Sequence, residues 1–74
     1  MIYIKEIPEG ENSVIIQIDG FLEPESVPIL KKVCQRQLGM KATVTLNLEK
    51  LLYISREGMN YLEEIKRKVI IIGV

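Results

Sequence analysis

Residues 42–48 read Ala-Thr-Val-Thr-Leu-Asn-Leu. No other stretch limits the fold as much. Side chains alternate between the two faces of a strand, so Ala42, Val44, Leu46 and Leu48 share one face and Thr43, Thr45 and Asn47 the other. A strand buried on both faces would be apolar throughout. This alternation therefore predicts a sheet with helices packed against a single face.

The rest of the chain can be read around that strand. Residues 2–7 and 13–19 have strand character, and Pro8, Gly10 and Asn12 mark the turn between them. Gly20 is expected to end the second strand. Val27, Leu30, Val33, Cys34 and Leu38 fall at helical spacing. They predict a helix over 27–38, with Ser26 as N-cap and Gly39 as the residue just past its end. Pro28 is tolerated because it lies in the first turn. Residues 50–54 are expected to form a loop. A second helix is expected over 56–67, with Met59, Leu62 and Ile65 facing inward. A last strand, apolar on both faces, is expected over 69–74. The resulting order is β-β-α-β-α-β, an α/β fold whose strand–helix–strand repeats imply mostly parallel pairing.

The chain has 74 residues, 47% of them apolar and 27% charged, which is the composition of one small globular domain. A domain of this size buries only about 60% of its unfolded surface. Cys34 is the only cysteine and there is no histidine, so neither an intrachain disulfide nor a Cys/His zinc site can be built. Ten basic residues balance ten acidic ones. That balance argues against nonspecific binding to nucleic acid or to an anionic membrane, which depends on excess positive charge. The N-terminus carries no secretory signal pattern, and the longest apolar run, 69–74, is too short to span a bilayer. A cytoplasmic protein is expected.

No nucleophile is paired with a base, and no metal set or Gly-rich phosphate loop is present. Glu23 and Glu25 have no third ligand near them in sequence, and acids are favoured at helix starts. Cys34 lies on the inward stripe of the first helix and reads as a small buried hydrophobe. Neither a catalytic residue nor a cofactor is expected. Glu63, Glu64, Lys66, Arg67 and Lys68 run from acidic to basic in the direction the helix dipole favours.

The turn at Ser55, Arg56, Glu57 and Gly58 is the candidate site. It delivers a hydroxyl, a cation and a carboxylate to a helix N-terminus, where free backbone N–H groups and a positive dipole meet. Ser55 also suits a helix N-cap, Glu57 suits a first turn, and Gly58 suits close packing. The surface expected to contact a partner comprises Tyr53, Ser55, Arg56, Glu57, Gly58 and Asn60. A second expectation concerns residues 69–74. An uncovered apolar edge strand invites pairing with another chain. Val69, Ile70, Ile71, Ile72 and Val74 are therefore expected to mediate homodimerisation.

Three segments together resemble the STAS domain of bacterial anti-sigma factor antagonists: 17–26 (QIDGFLEPES), 43–62 (TVTLNLEKLLYISREGMNYL) and 68–73 (KVIIIG). Gly20, Leu22 and Glu23 stand at the Gly-x-Leu-Asp motif of that family. Leu46, Asn47 and Leu48 stand at its Leu-Asn/Asp-Leu strand, and Gly58 at the glycine that closes Asp-Ser-Ser/Thr-Gly. The resemblance covers almost all of this chain but only the first two-thirds or so of a usual STAS domain. It implies a half-length SpoIIAA-like fold and a protein-binding module without catalysis. The implied partner is an anti-sigma factor kinase or a related regulator. In the family, phosphorylation of the residue just before the glycine releases the partner. Here that residue is Glu57, with Arg56 at the first serine and Ser55 at the aspartate. The resemblance thus implies a fixed negative charge in place of a phosphate of about −1.5 to −2. Phosphorylation of Ser55 is a lesser possibility. The alternative function is an assembly subunit that pairs through the C-terminal strand.

Overall fold

A computed structural model describes residues 1–73. The elements run β1 (Ile2–Pro8), β2 (Ser13–Leu22), a 3-10 turn (Pro24–Ser26), α1 (Val27–Leu38), β3 (Thr43–Asn47), β4 (Leu51–Ile54), α2 (Arg56–Ile65) and β5 (Ile70–Ile72). Val74, one of the residues expected at a dimer interface, lies outside the described residues.

β1 pairs antiparallel with β2 along its whole length, from Ile2 opposite Gly20 to Pro8 opposite Val14. All other pairings are parallel. β3 lies beside the first half of β2, with Val14 opposite Val44 and Ile16 opposite Leu46. β4 lies beside the far end of β2, with Phe21 opposite Tyr53 and Leu22 opposite Ile54. β3 and β4 therefore share one lane of the sheet. β5 pairs with β3 on its other side, Leu46 opposite Ile71.

Paired residues project to the same side, so the register defines the two faces. Val14, Ile16, Ile18, Val44 and Leu46 are buried and form the core with Leu22, Leu30, Cys34, Leu62 and Ile65. Both helices pack on this face, as the alternation in 42–48 requires. On the opposite face Ile7, Ile15, Thr45 and Ile70 are joined through successive pairings into one row across the sheet.

Several expectations need correction. Residues 50–54 are not a loop: 51–54 form β4, which adds a fifth strand. Its four residues carry no alternation of their own and become a strand by pairing with β2. That pairing is possible because β2 does not stop at Gly20. Gly20 takes φ +92° and the chain continues to Leu22 across a register shift. A Cβ at Gly20 would lie 2.6 Å from the Met1 carbonyl oxygen, so the bend and the close approach both require glycine. Ser26 does not cap α1 with its side chain. It is buried in the 3-10 turn that runs straight into the helix. Gly39 ends α1 in a right-handed conformation, not a left-handed one. α2 stops at Ile65, two residues short of its expected end. The edge strand is shorter than expected, Ile70–Ile72 only.

The inward stripe of α2 is Gly58, Tyr61, Leu62 and Ile65, and Met59 is 47% exposed. Gly58 lets the helix approach so closely that its own face turns to the sheet and carries Met59 sideways. Gln37 is an unforeseen polar residue on the buried face of α1. Its side-chain amide donates to the Glu6 carboxylate, which also holds Arg36. This pairing clamps β1 to α1.

Candidate docking surface at the start of the second helix

Where β4 ends, the chain turns into α2 through Ser55. The Ser55 backbone N–H donates to the Leu22 carbonyl at 2.9 Å, which ties the turn to the end of β2. Ser55 has extended backbone angles, and its Oγ accepts the Gly58 N–H at 3.0 Å. It is the N-cap of α2 and is 3% exposed. Three residues on, Gly58 is buried against Leu22 and Ile54. These two residues hold the turn from beneath. Their side-chain positions are occupied by the interior, so they do not reach the surface.

The residues between and beside them do. Arg56 and Glu57 are exposed in the first turn of α2, and Asn60 is exposed one turn further on. Neither Arg56 nor Glu57 forms an ion pair or side-chain hydrogen bond with another described residue. Glu57 lies close to the free N–H groups and positive end of the helix, where a carboxylate gains about 0.3–1 kcal/mol. Tyr53 is 52% exposed on the preceding strand.

The sheet adds a residue that sequence spacing could not bring here. Phe21 is the direct partner of Tyr53 across β2 and β4 and is 42% exposed. Leu52, next to Tyr53, is the most exposed large apolar side chain among the described residues, at 75%. The turn therefore presents an uncommitted cation and carboxylate at the helix start, and the strand end before it carries an aromatic pair on the sheet face away from the helices. Aromatic residues and arginine are the usual anchors of protein interfaces. Cys34 and Glu23 are not part of this surface. Cys34 is fully buried, and burial raises its thiol pKa from the ordinary value. Glu23 lies 3.5 Å from the N-terminal amine, with the pair largely exposed.

No family model matches this chain. No curated protein matches it either. Solved structures do. An anti-sigma factor antagonist STAS domain from Rhodobacter sphaeroides superposes with a TM-score of 0.76 at 15% identity, covering 97% of this chain and 86% of that one. The anti-sigma factor antagonist SpoIIAA in its unphosphorylated form gives a TM-score of 0.74 at 17% identity, with 93% of this chain and 71% of that one covered. The chain has the STAS fold. An uncharacterised protein from Shewanella loihica with a SpoIIAA-like fold matches more loosely, at a TM-score of 0.52 and 18% identity, over 99% of this chain and 66% of that one. In this structure Gly20 and Leu22 lie at the end of β2, Leu46 and Asn47 at the end of β3, and Gly58 in the first turn of α2. No described helix is long and apolar enough to cross a membrane.

Proposed function

We propose that this protein is a non-catalytic protein-binding module of bacterial regulation, similar to an anti-sigma factor antagonist and working in the cytoplasm. It docks its partner on Arg56, Glu57, Asn60 and Tyr53, joined by Phe21, while Ser55 and Gly58 hold these residues in place. The partner is a protein, an anti-sigma factor kinase or a related regulator. The observation that carries this reading is the exposure of two uncommitted charges at a capped helix start, on a fold shared with anti-sigma factor antagonists.

Glu57 stands where the family resemblance puts the phosphorylated residue. A carboxylate there supplies a charge that no kinase can add and no phosphatase can remove. In this reading the partner is one that accepts a standing negative charge at residue 57, where the family resemblance implies partners that such a charge releases. The test is to expose wild type and Glu57→Ser to lysate of the source cells with labelled ATP. Label should enter Glu57→Ser at residue 57 and leave wild type unlabelled. An unlabelled Glu57→Ser, or a wild type labelled on Ser55, counts against the reading.

A second reading is an assembly subunit that pairs through its C-terminal strand. It is favoured by one observation, the exposure of Ile70 and Ile72 at 52% and 40%.

A further inference from the structure

β3 and β5 pair only from Thr45 opposite Ile70 onwards. The residues before them, 42–44 and 67–69, are not paired with each other, and a cavity of about 270 Å³ opens between these two segments. It lies on the β3 side of the segment that leads into β5, so described residues form both of its walls. Val44 and Val69 give it a buried apolar lining, and Thr43, Arg67, Lys68 and Ile70 are exposed around it. The cavity adjoins the C-terminal end of α2, whereas Arg56 and Glu57 stand in its first turn.

Two cations border this cavity without acceptors. Lys66 pairs with Glu63 at 2.7 Å. Its neighbours Arg67 and Lys68 form no ion pair and no side-chain hydrogen bond with any described residue. Glu64 stands three and four residues before them, the spacing at which helical carboxylates pair with cations, yet it holds neither. The Thr43 hydroxyl and the Ala42 N–H, both at the lining, are likewise without a partner among the described residues. The helix dipole accounts for basic residues at this end of α2. It does not account for two of them bordering a cavity beside a hydroxyl and an N–H that can also donate.

We propose that this cavity binds a small phosphomonoester. The phosphate sits on Arg67, Lys68 and Thr43, and the organic group lies against Val44, Val69 and Ile70. The planar fork of arginine matches the geometry of phosphate oxygens, and lysine adds a point charge. The volume falls just below the roughly 300–1,000 Å³ of ordinary small-molecule pockets, so the organic group is small. The apolar lining separates an ester from inorganic phosphate, which would set a charged oxygen against the valines at a cost in desolvation. This site goes beyond the docking role of Arg56 and Glu57 and does not depend on it.

Amide NMR shifts of the full chain, titrated with phenyl phosphate, inorganic phosphate and sodium chloride at matched ionic strength, test the proposal. Phenyl phosphate should move the amides of 42–44 and 67–70 together. It should bind about threefold or more tighter than inorganic phosphate, the gain from burying part of the ring. Sodium chloride should leave those amides in place. Arg67→Gln/Lys68→Gln should weaken phenyl phosphate about tenfold, the scale of a lost charge-assisted hydrogen bond. Lys31→Gln/Lys32→Gln, which removes two cations from α1, should bind as wild type does. The proposal is overturned by shifts scattered over every lysine-bearing segment, or by undiminished binding when Arg67 and Lys68 are replaced. Inorganic phosphate binding as tightly as phenyl phosphate also overturns it, as does an equal loss in the α1 variant.

Discussion

Gly58 meets Leu22 at the point where the second helix leaves the sheet. A Cβ on Gly58 would lie 2.9 Å from the Leu22 Cγ and 3.1 Å from a methyl of Ile54. Both neighbours belong to the interior, and Leu22 is fully buried. The docking surface depends on this contact, because it sets how α2 sits and which of its residues face outward.

Gly58→Ala should therefore destabilise the protein. In an open helix the same change would gain about 0.5–1 kcal/mol from reduced chain entropy. Here it forces Leu22 or Ile54 aside in a packed core, which costs about 1–3 kcal/mol. The steric effect wins, and a urea titration should show a lower midpoint with an unchanged slope.

Sequence patterning revealed the two helices, the alternating strand and the parallel architecture, because each repeats its period over several residues. It did not reveal β4. Leu51–Ile54 is short and unpatterned, and only the extension of β2 past Gly20 gives it a partner. Nor did it reveal Phe21, which looks like the lead-in to a helix until the register places it beside Tyr53. The polar clamp of Glu6, Arg36 and Gln37 joins residues about thirty positions apart, beyond any local signal. The position of Arg56 and Glu57 in the first turn of a helix was legible, since helix-start chemistry is local. The burial of Ser55 and Gly58 between them required the tertiary contact.

Acid should loosen the clamp between β1 and α1. The Glu6 carboxyl is held below the ordinary 4.5, first by the hydrogen bond from Arg36 and then by that from Gln37. A carboxylate with a lowered folded pKa contributes its stability above the unfolded value and loses it as pH falls through the folded one. The contribution is thus complete at neutral pH and disappears on the acid side of 4.5. Arg36→Ala should move the Glu6 titration, followed by carbon NMR of its carboxyl, back up towards the ordinary value.

Tyr61→Phe should be neutral or slightly stabilising near neutral pH. The Tyr61 hydroxyl is buried with no oxygen or nitrogen partner among the described residues, and only the Cys34 thiol, a weak hydrogen-bonding group, beside it. An unsatisfied buried polar group costs about 1–3 kcal/mol, so its removal at constant shape loses little. The effect should grow with alkalinity. Burial, with Cys34 close by, pushes the phenol well above the ordinary 10.0. The unfolded chain ionises first, so wild-type stability falls as pH rises through 10. The phenylalanine variant should lose less over that range, as read from melting temperatures at matched pH.

The most direct measurement of the central claim is affinity capture from lysate of the source cells, quantified by mass spectrometry. The baits are wild type, Arg56→Ala/Glu57→Ala and Ile70→Lys, each first shown to melt as a folded protein. Wild type and Ile70→Lys should enrich the same regulatory protein. The Arg56/Glu57 variant should lose it about tenfold, since an interface anchor contributes 1 kcal/mol or more. Equal capture by the Arg56/Glu57 variant would contradict the account.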